Sequence, residues 1–457
     1  MIVLVVCVAI LVGTTPSEAQ SQRPPSPLTL QQAIRYAIEN YPAIQAARAR
    51  VAAEEAGVDL ARTAYLPRLD SALQINRATR NNVAGLLLPG TSIPAISGPA
   101  SDGTSSSSIW GSAGGLLLSW EAFDFGLRGA TVDLARAQVT RASAGADLTR
   151  LDVGVKTADA FLQLAAARET VRAARANVER QEVFANSVAV LVKNELRAGA
   201  DDSRAQAELA LARIQLIQAE QAEQIGRANL AQWLGISSAD VQIAAAPLLV
   251  ELPLPPPPAP PDAATHPLAA AQMANVESVR AVQTMLGRSY FPRINFQTAY
   301  SLRGAGATAN GAPLGGTRGL DFDTPNWAAG FTATFPLFDS FSIRERKRIE
   351  AQNERAELAS YGRIVQELSS QSEQARAELE GARRVAANTP IQLAAARVLE
   401  QQSRGRYDAG LADIIEVADA ERLLLQAEVG DAVARLGIWR ALVAEAVAKG
   451  DISNLLR

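Results

Sequence analysis

Hydrophobic positions along this chain follow two different periods. From Leu127 to Leu196 there is no proline, and only Gly129, Gly145 and Gly154 interrupt a run rich in strong helix formers. Within it Leu148, Leu151, Val155, Ala158, Leu162 and Ala165 recur at alternating three- and four-residue steps, the seam of helices that supercoil around neighbours. A helix over this stretch would be roughly 100 Å long at 1.5 Å per residue. Elsewhere the period drops to two. Leu69, Ser71, Leu73 and Ile75 alternate with Asp70, Ala72, Gln74 and Asn76, which predicts a strand with one apolar and one polar face. A second strand has Trp110, Leu116, Leu118 and Trp120 on one parity and Gly111, Ala113, Gly115 and Ser119 on the other.

Punctuation places these runs in order. Thr29 caps a helix whose apolar face is Leu30, Ala33, Ile34, Ala37 and Ile38, and Pro42 forces a break or restart before a second helical run. A loop rich in Gly, Pro, Ser and Asn joins the first two strands from Thr79 to Ser108. After the long helix, Gly199 suits a helix C′ position, and Asp201, Asp202 or Ser203 can cap the helix from about Arg204 to Leu234. Seven prolines crowd Pro253 to Pro261, an extended linker.

Beyond the linker the pattern recurs. Tyr41-Pro42 returns as His266-Pro267, and Tyr65-Leu66-Pro67-Arg68 as Tyr290-Phe291-Pro292-Arg293. Ile294, Phe296, Thr298, Tyr300 and Leu302 mark a third strand, and Trp327, Ala329, Phe331, Ala333 and Phe335 a fourth, with a Gly/Ala/Asn loop from Gly304 to Pro325 between them. Phe338-Asp339 matches Phe123-Asp124. A second long helix covers Ile343 to Asn388, with Leu358, Tyr361, Val365 and Leu368 on one seam, and Pro390 should kink or break it. Arg406 to Asp413 matches the turn at Arg197 to Asp202, and a last helix runs from Ile414 to about Lys449. The expected organisation is a leader at 1–19, a first repeat at 20–245, a Pro-rich linker at 246–264, a second repeat at 265–450 and a tail at 451–457.

Composition narrows the class. Ile2 to Val12 is apolar, too short for a membrane-spanning helix, and Ser17-Glu18-Ala19 supplies the small residues of a secretory cleavage site. Cys7 lies too early in that run for a lipoprotein site. Any membrane crossing by the mature chain is therefore by β-strands. Strands of about ten residues with one apolar face suit a tilted membrane strand. Tyr65, Trp110, Trp120, Tyr290, Phe291, Trp327, Phe335 and Phe338 lie near strand ends, where interfacial aromatics belong. A soluble sandwich with aromatics in its core is the other reading of these strands. Four strands cannot close a membrane barrel, which needs at least eight, so such a chain must oligomerise.

With one Cys and one His, a disulfide framework is impossible, as is a zinc site of several such ligands. His266 reads as a helix-start residue, and Gly304 to Gly319 lacks the Gly-Lys-Ser/Thr ending of a P-loop. Arginines are dispersed among acids and the net charge is −3, so no nucleic-acid stripe exists. No catalytic constellation assembles, and no metal or cofactor is expected.

Leu28-Thr29-Leu30-Gln31-Gln32-Ala33, the two Tyr-x-Pro-Arg strand entries, the two Phe-Asp strand exits and the two Ala-Gly-x-x-Asp turns together resemble the TolC family of outer-membrane efflux proteins over about residues 28 to 450. The resemblance implies an α+β membrane protein with internal duplication. Each subunit would give four strands to a twelve-stranded transmembrane β-barrel in a homotrimer, continued by a long antiparallel α-helical periplasmic tunnel. It implies an outer-membrane duct, embedded in lipid, working with a periplasmic adaptor (a membrane fusion protein) and an inner-membrane pump to export drugs, metals or other small molecules. Type I protein secretion, or a secreted coiled-coil scaffold, are the alternatives. The last helical hairpin would form the periplasmic gate, with Tyr407, Asp408, Asp413, Glu416 and Asp419. Acidic rings of the family fall on Glu416 and Asp419, one helix face apart by three residues, giving six carboxylates in a trimer. A solvated helix face accounts for the same spacing. Where some members carry a gate-locking Arg this chain has Ala412, a departure from a ring of Arg–acid locks. Adaptor docking would fall on Arg197, Gly199 and Asp202 and on Arg406, Gly410 and Asp413, which are also ordinary capping positions.

Overall fold

The computed structural model describes residues 26–79, 81, 106–250, 265–308 and 312–455. The leader, residues 251–264 of the Pro-rich linker and most of the first inter-strand loop lie outside the described residues, while the start of that linker forms a short helix. The helices are α1 (Leu30–Asn40), α2 (Pro42–Thr63), α3 (Leu127–Lys193), α4 (Gly199–Leu234), the short α5 (Ala246–Val250), α6 (Pro267–Arg288), α7 (Asp339–Asp408) and α8 (Ile414–Lys449). The strands are β1 (Arg68–Thr79), β2 (Ser108–Phe123), β3 (Arg293–Ala305) and β4 (Thr324–Thr334), in one antiparallel sheet of order β1-β2-β3-β4. No described helix is long and apolar enough to cross a membrane.

Local chemistry explains the boundaries. Thr29 and Gln32 form a reciprocal capping box at α1, and α2 restarts at Pro42, where a missing N–H costs nothing. His266 is buried and its Nδ1 accepts the Leu268 N–H at 3.0 Å, capping α6 ahead of Pro267. Gly235 and Gly450, both with positive φ, end α4 and α8. The helical hairpins repeat at a constant offset: α4 and α8 start at 199 and 414 and end at 234 and 449, both 215 apart.

The chain falls into two compact units, Met1–Gln45 with Arg150–Pro260 and Ser372–Arg457, and Ala46–Thr149 with Pro261–Gln371. In the first, α1, the middle of α3 and the ends of α4 and α8 enclose one core, with Ile34, Phe161, Leu162, Leu164, Leu230 and Leu436 fully buried. The seam residues Leu151, Ala158, Leu162 and Ala165 are buried, and Val155 is half-buried. Burial goes further than the seam: from 151 to 165 only Asp152, Lys156, Asp159 and Gln163 are exposed, a single polar stripe. Leu28 adds a parallel bridge to Ile243, and Trp439 Nε1 donates to the Leu248 carbonyl at 3.0 Å.

In the second unit α2 packs on α3 through Val58, Val132 and Ala135, and α6 on α7 through Ala269, Ile364 and Leu368. Strand register keeps the period-two pattern in phase across the whole sheet. Leu69 lies opposite Leu118, Leu118 opposite Thr298, and Thr298 opposite Ala329. Leu73, Ile75, Leu116, Trp120, Phe296, Tyr300, Trp327 and Phe331 therefore share one face, and Asp70, Gln74, Asn76, Asn295, Gln297, Arg303 and Asn326 the other. On the apolar face Leu73 is 71% and Trp327 80% exposed.

Several expectations need correction. Pro390 does not break α7, which runs unbroken through it. Leu379 and Ala386 before it pack against Ile438 and Ala441 of α8, Ala396 after it packs against Leu424 and Ala427, and Thr389 Oγ1 donates to Asp431 at 2.9 Å. The α7 seam departs from the prediction at Leu358, which is exposed; Tyr361 and Val365 are half-buried, Leu368 is buried, and Ile364, Ser372, Ala375 and Leu379 extend the buried face. Phe335 falls just after β4, while Gly304 and Pro325 lie inside strands, so the loop between them is shorter. Pro325 is tolerated because β4 is an edge strand.

Candidate functional site

Two helix ends carry the predicted hairpin residues, and both are built the same way. In the α7–α8 turn Gly410 has φ 76°, the Leu411 N–H reaches the Arg406 carbonyl at 2.8 Å, and the Gly410 N–H reaches that of Tyr407 at 2.9 Å. This is a Schellman motif with glycine in the left-handed position. In the α3–α4 turn the Leu196 N–H reaches Leu191 at 2.9 Å and the Glu195 N–H reaches Val192 at 3.0 Å, with Glu195 at φ 60°. Here a glutamate, not Gly199, takes the left-handed position. Gly199 instead opens α4, whose N-cap is Ala198 without a side-chain bond. Asp201 and Asp202 sit inside the first turn, where they complement the helix dipole, and Ser203 Oγ donates back to Gly199. The repeated Ala-Gly pair thus misaligns the turns by four residues. The true counterpart of Ala198 is Asp413, which accepts from the Ile415 and Glu416 N–H groups at 3.0 Å.

The two turns meet through Tyr407. Its side chain is buried, and its hydroxyl donates to Asp201 Oδ2 at 3.3 Å. The Arg197 guanidinium lies 4.3 Å from its ring centroid and donates to its carbonyl oxygen. Phe184 packs edge-on at 5.3 Å, within a cluster that includes Val188, Leu209, Ile414 and Val417. Burial, then the nearby Asp201 charge, pushes the Tyr407 phenol above its ordinary pKa, so it stays a donor at neutral pH. Other predicted residues keep to their own hairpin. Glu416 is half-buried and pairs with Arg406 at 3.2 Å, and Arg406 also reaches the Leu411 carbonyl. Asp419 is exposed and pairs with Arg422 at 2.6 Å, while Asp408 is exposed. Asp202 Oδ1 is buried without a partner.

Sequence reading missed a second layer of contacts. Arg180 on α3 donates to Glu421 at 3.0 Å and to Glu428 at 3.2 Å, both on α8. One signal was available: Glu421 and Glu428 are seven residues apart on the same face as Val417, Leu424 and Ala427. Acids on an apolar helix face need partners.

The aromatic set divides. Tyr65, Trp120, Tyr290, Phe291, Phe335 and Phe338 gather where strands meet helices, and all are exposed. Trp120 Nε1 donates to the Tyr65 carbonyl at 3.0 Å. Trp110, half-buried at the other end of the sheet, has Arg77 5.4 Å over its ring. Trp327 stands opposite Tyr300, one strand further in. Phe123, Tyr300, Phe331 and Phe341 are also exposed and escaped prediction or the interfacial set. Between β2 and α3, Asp124 is buried. Burial opposes its charge, but the Arg128 and Gly126 N–H groups and the Arg128 guanidinium together hold its carboxyl below the usual range. Among the described residues no cluster of His, Cys, Asp and Glu could hold a metal ion.

Comparison with known proteins matches this architecture. The chain is similar to protein CyaE of Bordetella pertussis, 31% identical over 216 residues, covering 46% of this chain and 40% of that relative's length. The match thus spans less than half of the curated relative. A membrane protein from Pseudomonas aeruginosa has a similar fold, with a TM-score of 0.76 at 18% identity, over 92% of this chain and 90% of the other. The open state of the MtrE outer membrane channel of Neisseria gonorrhoeae matches with a TM-score of 0.70 at 18% identity, over 92% and 89%. Residues 33–236 and 263–444 match the outer membrane efflux protein family. The chain belongs to that family of outer-membrane channel proteins and carries its fold, long helical hairpins with a four-stranded antiparallel sheet.

Proposed function

We propose that this protein is the outer-membrane channel subunit of a tripartite export system, a passive duct that performs no chemistry and opens and closes at its paired hairpin turns. The carrying observation is the sheet: four strands in register with one predominantly apolar face, largely exposed, and one more polar face. Both edges, β1 and β4, are open. With four alternating strands, β4 of one copy is antiparallel to β1 of the next, so copies add head to tail into a closed ring. Three copies make twelve strands, above the eight a membrane barrel needs. The apolar face then meets lipid and the polar face lines the pore. The exposed aromatics where strands meet helices suit one membrane interface, with the helical part in the periplasm.

The mouth follows from the turns. Tyr407 joins one hairpin to the other through Asp201 and Arg197, so separating the hairpins breaks these bonds. Ala412 offers no charge for such a lock, and Arg406 pairs with Glu416 within its own hairpin. Glu416 and Asp419, repeated by symmetry, place six carboxylates at the entrance, each paired with an arginine, Arg406 or Arg422, so cation preference there depends on how far those arginines offset them. The exposed turn residues Gly199, Arg406 and Gly410 are the docking tips for a periplasmic adaptor. Purified protein in planar bilayers tests this. A trimer with low conductance, opened by Arg197→Ala with Tyr407→Phe, is the expected result. A protein that stays monodisperse and monomeric without detergent would sink it.

A further inference from the structure

Arg180 stands thirteen residues before the end of α3 at Lys193, about 20 Å along the axis at 1.5 Å per residue. There it crosses from one hairpin to the other, a second connection independent of Tyr407. Glu421 is 1% exposed, and its Oε2 accepts from Arg180 Nε. Its other oxygen, Oε1, is buried without a partner, as is Asn177 Oδ1 one turn from Arg180. Around it, Glu428 shares Arg180, and Glu400 on α7 lies 3.7 Å from Arg404. Three carboxylates, Glu400, Glu421 and Glu428, therefore face two guanidinium groups, Arg180 and Arg404. The surplus negative charge falls on the most buried group, and that group has one vacant oxygen. A proton on Oε1 removes the surplus and supplies a donor. No described cluster could hold a metal ion in its place.

We propose that Arg180 is a second latch of the mouth, holding α3 to α8, and that Glu421 makes this latch dependent on protons. The proposal rests on the reading of the paired hairpins as a mouth. Burial, ahead of the opposing pull of Arg180, raises the Glu421 carboxyl above its ordinary range, with Glu400 adding to the rise and Arg404 opposing it. In an opened mouth the carboxyl meets water and titrates normally. The packed form therefore binds the proton more tightly. Its advantage is complete below the ordinary carboxylate pKa and is lost as pH rises through the raised value. Acid closes the latch and a rise in pH loosens it.

The test is single-channel recording of the full-length protein in planar bilayers from pH 5 to pH 8. Open probability of the unaltered protein rises with pH. Arg180→Ala leaves the buried acids uncompensated and raises open probability at pH 5 at least tenfold. Glu421→Gln, neutral at every pH and close in shape, stays closed and loses the pH response. If Arg180→Ala fails to assemble on gel filtration, Glu421→Gln and the uncharged pair Arg180→Met/Glu421→Met decide, since both assemble and both are pH-insensitive if the latch exists. A pH response retained in Glu421→Gln overturns the proton dependence, and Arg180→Ala conducting as the unaltered protein does at pH 5 overturns the latch. Tyr407→Phe in the same recordings separates the two readings. If it opens the channel while Arg180→Ala is silent, the latch alone falls; if neither opens it, the mouth falls as well.

Discussion

Tyr407 is the residue on which the two hairpins depend. It is fully buried between Arg197, Asp201 and Phe184, three groups from the other hairpin. Removing its hydroxyl leaves Asp201 to water and costs about 1 kcal/mol, roughly fivefold in a closed-to-open ratio. Tyr407→Phe should therefore raise channel open probability by about that factor in bilayer recordings. Glu195 and Gly410 make a second contrast. Both hold left-handed backbone, which costs a residue with a Cβ about 1–2 kcal/mol. Gly410→Ala should loosen its turn by about 1 kcal/mol, seen as faster hydrogen exchange at the Leu411 amide. Glu195→Gly should leave exchange at the Leu196 amide unchanged or slower, because relief of strain offsets the added chain entropy.

At the scale of elements, the sheet and the helix pairs make separate demands. A charge on the apolar face at the membrane midplane costs about 2–4 kcal/mol. Leu73→Arg should block insertion into lipid vesicles, whereas Gln297→Arg on the polar face should insert normally. Gly226 shows what helix packing requires. A Cβ there would come 3.3 Å from the Leu164 Cα, so glycine lets α4 approach the backbone of α3 a few tenths of an ångström closer than a larger residue would. Gly226→Val should push the two helices apart and cost about 1–3 kcal/mol, read as a lower melting temperature in detergent. The two strand periods and the α3 seam were legible in the sequence because each is a property of neighbouring residues. The continuity of α7 through Pro390 was not, since packing against α8 outweighs the local penalty.

For the whole molecule, the open edges β1 and β4 have to be closed by other copies if the sheet is to lie in lipid. Cysteines scanned along β1 near Ser71 and along β4 near Ala329 should crosslink between copies, giving a ladder on denaturing gels that ends at three. A ladder that ends at two, or continues without limit, contradicts the ring.

Sequence alone determined what local geometry enforces. A helix repeats near 3.6 residues and a strand at two, so the order of elements and the two faces of each strand follow from residues within one or two turns of each other. Thr29, Asp413 and His266 were readable as caps or helix starts for the same reason. The doubled landmarks also showed in sequence, but the turn alignment slipped, because Ala-Gly at 198–199 and 409–410 carries no information about which residue turns left-handed. Tertiary structure decided which turns meet. Tyr407 and Asp201 are 206 residues apart, and Arg180 and Glu421 are 241 apart. Such pairs are chosen by the packing of whole helices, and by the cost of burying a charge alone, rather than by any local period.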